Sequence, residues 1–228
     1  MQGAHAGAGL FVTGTDTGVG KTLAACVLLH RLRVRGLRAL GMKPVAAGVE
    51  PTPDGPVNAD VVALRAASSW PAPLRQVNPY SFEAAIAPHI AAAASGVRIE
   101  MAPIRQAFEA LCGSADTIVV EGVGGFLVPL NEREDGGDLA VALALPVVLV
   151  VGMRLGCLNH ALLTQQAIRS RSLPLAGWIA NSIDPQMARF EENLQALRER
   201  IAAPLLGVIP YRPTPDPASI GVSLPRDA

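Results

Sequence analysis

Apolar and polar positions follow two rhythms along the chain. Short, nearly continuous apolar runs occupy residues 10–13, 37–45, 117–120, 146–151, 175–180 and 205–209. These read as buried strands, and helical spacing fills the stretches between them. Residues 23–29 are almost all apolar, the run continues through Leu32, and Gly36 follows as a natural C′ residue. That predicts a helix whose first half is buried. Asn58 is expected to cap a helix carrying Val61, Val62 and Leu64, with Asp60 in its first turn. Ile104, Phe108 and Leu111 share one helix face. Asn159 is expected to cap a helix running toward Arg171, and Phe190, Leu194, Leu197 and Ile201 mark the cleanest amphipathic helix. Residues 71–96 are less regular, and Pro88 is read as interrupting their alanine-rich pattern. A Pro-rich tail follows the last strand.

Strands apolar on both faces and alternating with helices predict a mainly parallel sheet covered by helices on both faces. One α/β domain is expected over residues 10–228, after a flexible extension at 1–9. The 228 residues and 50% apolar content are enough to bury a sizeable core, which excludes general disorder. Nineteen basic residues balance nineteen acidic ones, so a broad nucleic-acid surface is not expected. The longest apolar stretch, residues 139–151, contains Pro146 and is too short for a membrane span, which needs about 20 residues. The N-terminal residues lack the basic region of a secretion signal. Cys26, Cys112 and Cys157 form no C-x-x-C pair, so neither a disulfide framework nor a zinc site is expected; the three read as buried. His5, His30, His89 and His160 have no metal-ligand spacing. A cytoplasmic protein is expected.

Chemistry concentrates elsewhere. Gly14-Thr15-Asp16-Thr17-Gly18-Val19-Gly20-Lys21-Thr22 lies between the first strand and the first helix, the context of a phosphate-binding loop. Its glycines let backbone amides approach an anion, and the helix N-terminus adds unpaired N–H groups. Lys21 would reach the outer phosphates and the Thr22 hydroxyl would bind Mg²⁺. Gly14 lies one residue earlier than the usual spacing, so the loop is an expanded variant. Glu121 ends a strand and precedes Gly122, Gly124 and Gly125, where a metal-supporting carboxylate is needed. Asp60 is ambiguous on spacing alone, because a helix dipole favours an acid there anyway. Only two of the nineteen basic residues are lysines, Lys21 and Lys43. Lys43 stands before Pro44 at a strand end, where an ammonium could neutralise an anionic substrate or a transferring phosphoryl group.

The blocks VTGTDTGVGKT from Val12, MKPVAAG from Met42, VNPYSF from Val77, APHIAA from Ala87, VEGVGG from Val120, LGCLNH from Leu155, AGWIAN from Ala176 and APLLGVIP from Ala203 resemble the dethiobiotin synthetase family in content and order. The resemblance implies a P-loop NTPase-like fold and an ATP- and Mg²⁺-dependent ligase of biotin biosynthesis. Its substrates would be 7,8-diaminononanoate, CO₂ and ATP. Its catalytic residues would be Lys43 and Lys21, with metal ligation by Thr22, Asp60 and Glu121. Nucleotide contacts would come from Gly18, Val19, Gly20, Lys21, Thr22, Leu23, Asp60, Glu121, Gly122, Val123 and Gly124. Asn181, Ser182, Pro210, Tyr211 and Arg212 would surround the base. The substrate would meet Thr17, Lys43 and Ala47, with Cys157, Leu158 and Asn159 holding its carboxylate tail from a second subunit of a homodimer.

Two positions depart from some relatives: Gly18 replaces an acid, and Ala47 replaces a serine whose hydroxyl is therefore lost. Two other classes are weighed. Amide-forming cobyrinate synthases generally add a glutaminase domain, for which this length leaves no room. Partitioning and septum-positioning ATPases place a signature lysine where this chain has Asp16. ATP turnover that depends on a diamine, rather than on DNA or a protein partner, separates these readings.

Overall fold

The computed structural model describes residues 9–50 and 57–225. In chain order its elements are β1 (Gly9–Gly14), α1 (Lys21–Val34), β2 (Ala39–Met42), β3 (Val45–Ala47), α2 (Ala59–Ala67), α3 (Leu74–Val77), β4 (Tyr80–Phe82), α4 (Pro88–Ala94), α5 (Met101–Cys112), β5 (Thr117–Glu121), α6 (Gly136–Ala142), β6 (Val147–Met153), α7 (Cys157–Ser170), β7 (Leu175–Ser182), α8 (Phe190–Arg200) and β8 (Leu205–Ile209). Six strands make one parallel sheet in the order β2-β5-β1-β6-β7-β8, while β3 and β4 pair as a small parallel sheet beside it.

Strand periodicity builds a core on each face. Along β1, Leu10 and Val12 join one cluster and Phe11 the other. Along β6, Val148 and Val150 face the first cluster, while Val147, Leu149 and Val151 face the second. Helix α1 covers the first face with Leu28 and Leu32, and Leu64 of α2 joins it. Ile104 and Leu111 of α5, Leu139 of α6, Ile168 of α7 and Leu194 of α8 cover the other. This two-sided cover explains why every residue of β1, β5 and β6 is buried. The strand order runs outward in both directions from β1, opening a crevice at the strands' C-terminal ends, where α/β sheets bind ligands.

Several local expectations change. The single strand expected over 37–45 divides at Lys43-Pro44. Pro44 cannot donate a ladder hydrogen bond, and the Lys43 amide donates to the Val77 carbonyl at 2.8 Å. Pro88 begins α4 rather than interrupting it, because a proline at the first helical position forfeits no internal hydrogen bond. Asn159 does not cap α7; Gly156 does, with φ 96°, and Asn159 lies in the first turn. Gly9 belongs to β1, while the rest of the expected N-terminal extension, including His5, lies outside the described residues. Cys26 and Cys157 are buried, but Cys112 is only half-buried. No helix among the described residues is long and apolar enough to cross a membrane.

Candidate active site

Strand β1 delivers Gly14 to the crevice, and residues 15–20 turn back into α1. Gly18 and Gly20 have φ of +72° and +87°, a left-handed backbone that side chains disfavour. At Gly20 space forbids one as well, since an added Cβ would lie 2.1 Å from Asn181 Nδ2. That amide donates to the Val19 carbonyl at 2.9 Å, so β7 pins the loop from behind. Around Gly18 there is open space, so the acid of some relatives would meet backbone strain rather than a clash. The Lys21 ammonium donates to the Asp16 carbonyl at 2.9 Å. Burial, assisted by the neighbouring Lys43 charge, lowers its pKa to about 8.

Three elements bring charge together beside this loop. Lys43 follows β2, Asp60 sits in the first turn of α2, and Glu121 ends β5. Lys43 Nζ donates to Glu121 Oε1 at 2.5 Å and to Asp60 Oδ2 at 2.9 Å. Thr22 Oγ1 donates to Asp60 Oδ1 at 2.7 Å or to Glu121 Oε1 at 3.0 Å. The Lys43 and Glu121 side chains are 5% and 1% exposed, while Asp60 is 39% exposed. Burial opposes the Lys43 charge, but Glu121 and Asp60 together outweigh it and raise its pKa. Burial resists ionisation of Asp60 too, yet Lys43 and Thr22 hold its pKa below the usual range. Glu121 is the exception: burial dominates and pushes its pKa up. Two carboxylates thus share one ammonium, and Glu121 holds the charge that is less well compensated.

Backbone anchors fix this cluster. Asn58 Oδ1 accepts from the Asp60 amide at 3.0 Å, and its Nδ2 donates to the Gly48 carbonyl at 2.8 Å. Buried Asn78 donates to the carbonyls of Lys43 and Tyr80 at 2.7 and 2.9 Å. Asn58 was readable as a cap only; nothing in the spacing singled out Asn78 beyond its place in the VNPYSF block.

Most expected residues line two cavities. A cleft of about 620 Å³ takes in Thr17, Gly18, Gly20, Lys21, Thr22, Lys43, Ala47, Asp60, Glu121, Val123 and Gly124. A smaller cavity of about 260 Å³ begins at Gly18 and is lined by Leu23, Asn181, Ser182, Pro210, Tyr211 and Arg212. Val19 is buried behind the loop, and the Gly122 carbonyl accepts from Lys43 Nζ at 3.4 Å. Cys157, Leu158 and Asn159 stand at the start of α7 and line neither cavity. Sequence reasoning missed Asn58, residues 85–88 and Val128 as cleft walls. The APHIAA block overlapped this wall without disclosing it.

Thr22, Asp60 and Glu121 offer only oxygen donors, which suits a hard divalent cation completing its shell with phosphate and water. Glu121 Oε2 is buried and has no hydrogen-bond partner, so a coordinating position is left open on this carboxylate. Among the described residues, no three His, Cys, Asp or Glu side chains form a metal-holding group.

The chain as a whole has counterparts among known proteins. A family model described as an AAA domain matches residues 8–219. The ATP-dependent dethiobiotin synthetase BioD of Aromatoleum aromaticum is 59% identical over 94% of this chain and 95% of its own length. The protein of that name from Xanthomonas axonopodis is 54% identical over 95% and 97%. Among solved structures, a ParA family ATPase from Chlorobium tepidum is similar with a TM-score of 0.54 and 14% identity, covering 90% of this chain and 85% of that one. MinD from Pyrococcus horikoshii, complexed with Mg-ADP, also has a TM-score of 0.54, at 16% identity over 90% and 82%. At those identities the structures establish the α/β P-loop fold, and the identity to the synthetases over nearly the whole length goes further: the chain belongs to the ATP-dependent dethiobiotin synthetase family.

Proposed function

We propose that this protein closes the cyclic urea of dethiobiotin from 7,8-diaminononanoate, CO₂ and ATP. The observation that carries the reading is the Lys43 ammonium held between Asp60 and Glu121, within the same cleft as the phosphate loop. One substrate amine adds to CO₂ and loses a proton, giving an anionic carbamate that reverts easily. A buried ammonium stabilises such an anion, and Lys43, 5% exposed at the cleft wall, is the candidate for it. A carbamate oxygen then attacks the γ-phosphorus as ADP leaves, building negative charge that Lys21 opposes. The second amine attacks the carbonyl carbon, loses a proton, and expels phosphate as the ring closes.

Mg²⁺, held by Thr22, Asp60 and Glu121 together with the nucleotide, would offset phosphate charge during transfer. Without it, Lys43 supplies the counter-charge to both carboxylates. Asn181, Ser182, Pro210, Tyr211 and Arg212 would enclose the base in the smaller cavity, while Thr17 and Ala47 would border the diamine. Ala47 contributes no hydroxyl there, so its carbonyl, which accepts from Asn58 Nδ2 at 3.2 Å, shapes the wall instead.

Residues 10–228 would act as one synthetase domain within a homodimer in the cytoplasm, engaging neither nucleic acid nor membrane. Exposed Leu127, Leu155 and Leu163 support a subunit interface near the cleft, with Leu155 94% exposed. Across it, the start of α7 would receive the carboxylate tail of the partner's substrate, through the amides of Leu158 and Asn159 beside Cys157, whose own amide donates to the Arg154 carbonyl at 3.0 Å. The test is ADP release from protein with ATP, Mg²⁺ and bicarbonate, with and without the diamine, and the product identified by mass. Diamine-dependent release with the cyclic urea is expected. ADP release indifferent to the diamine would replace this reading with that of a switch ATPase.

A further inference from the structure

The phosphate loop is joined to the end of β6 by three hydrogen bonds. The Thr15 amide donates to the Val150 carbonyl at 3.0 Å, and the Gly152 amide donates to Thr15 Oγ1 at 3.3 Å. Just past the strand, Arg154 Nη2 donates to Asp16 Oδ2 at 2.6 Å. All three Asp16 oxygens accept hydrogen bonds. Its other carboxylate oxygen accepts from the Thr17 amide at 2.7 Å, and its carbonyl accepts from Lys21 Nζ at 2.9 Å.

An aspartate in this place needs an explanation. A loop that binds phosphates gains from amides and cations, and a carboxylate within it repels the same ligand. The loop also carries an additional residue between Gly14 and Gly20, which gives its first half more freedom. Arg154 answers both problems, since a guanidinium is permanently charged and can fix a carboxylate's orientation.

We propose that Arg154 is a positioning residue of the phosphate loop: it draws the Asp16 side chain toward β6 and cancels its charge, leaving the Asp16 carbonyl directed at Lys21. The proposal rests on the reading of residues 14–22 as the nucleotide site. The Arg154 and Asp16 side chains are 43% and 46% exposed, so solvent screens the pair and the effect is moderate.

The experiment is calorimetric titration of the full chain with MgATP, without diamine, for wild type, R154M, R154K, D16N and the double variant R154M/D16N. Binding to R154M should be about fivefold weaker, the upper range for an exposed pair. R154K should bind within about twofold of wild type because the charge is kept. Binding to R154M/D16N should return to the affinity of D16N, since no uncompensated carboxylate remains. A loss caused only by disturbed packing would not be reversed by a second substitution, and thermal unfolding of R154M should match wild type. Unchanged affinity in R154M overturns the proposal, as does a double variant no better than R154M. Failure of the wild type itself to bind MgATP would instead remove the nucleotide-site reading beneath it.

Discussion

The two ends of the ligand-binding crevice are built on opposite terms. Where β2 and β5 meet, Lys43 and Glu121 are almost wholly buried and joined at 2.5 Å. Where β7 and β8 end, the smaller cavity is walled by Pro210, Arg212 and a Tyr211 that is 50% exposed. Buried charges must be matched atom for atom, because an unpaired one costs several kcal/mol. A half-open wall of mixed polar and apolar groups tolerates imperfect fit, because each solvent-screened contact is worth little. Chemistry should therefore fail sharply at the first end, and affinity gradually along the open wall of the second.

The sharpest break is Lys43→Gln. Removing one preorganised stabiliser of developing charge typically costs about 10²–10³-fold in rate, and ring closure should fall by at least that much. MgATP affinity should stay within a few-fold, because Lys21 and the loop amides remain. The same substitution leaves Glu121 short of its main partner and should lower unfolding free energy by about 3 kcal/mol in urea melts. Retained wild-type turnover would take Lys43 out of the mechanism. Retained stability would show that Glu121 is protonated in the variant, a change visible in the pH dependence of the melts.

Lys21→Gln should act differently, weakening nucleotide binding and turnover together, by about 10²-fold in turnover. Normal nucleotide binding in this variant would mean that the loop is not a phosphate site. A milder version of the same perturbation comes from pH. Burial and Lys43 lower the Lys21 pKa to about 8 in the free protein. Lys21 is thus charged below that pH and increasingly neutral above it. Phosphates favour the charged form, so MgATP affinity should decline as pH rises through about 8. Above that value binding should take up a proton, detectable by calorimetry in buffers of different ionisation heat. Lys21→Gln should abolish that uptake, and a slope that survives in it belongs to another group.

The two ends also differed in how far they could be read from sequence. The candidate phosphate loop could be singled out because its chemistry is local: glycines, Lys21 and Thr22 stand within nine residues between a strand and a helix. The main sheet and most helices were legible because continuous apolar runs and 3.6-residue periods report burial directly, whereas α3, α6 and the β3–β4 pair carry no such pattern. Asp60 was not, since a first-turn acid has an adequate local explanation, and its contact with Lys43 spans seventeen residues. The split of the 37–45 strand was announced by Pro44, yet its partner at Val77 is a tertiary fact that no local pattern carries. Arg154 and Asn78 were hidden for the same reason: Arg154 acts through Asp16, and Asn78 reaches Lys43, across contacts that only the fold makes. The pairing of β2 with β5, which places Glu121 beside Lys43, is likewise set by packing.

The smallest effect should come from Tyr211→Ala. An aromatic wall contributes about 0.5–1.5 kcal/mol beyond its area, and half-exposure places Tyr211 at the lower end. The variant should therefore bind ATP about two- to fivefold more weakly, with turnover at saturating ATP unchanged. Stacking on an aromatic ring does not distinguish one purine from another, so Tyr211 should support GTP and ATP alike. The Asn181 amide, already fixed by its bond to the Val19 carbonyl, is the group at this end that can read the base edge. The ratio of ATP to GTP affinity should consequently be preserved in Tyr211→Ala and lost in Asn181→Ala. A hundredfold loss in Tyr211→Ala, or a changed nucleotide ratio, would show that this open wall is as exacting as the buried one, and the contrast between the two ends would fall.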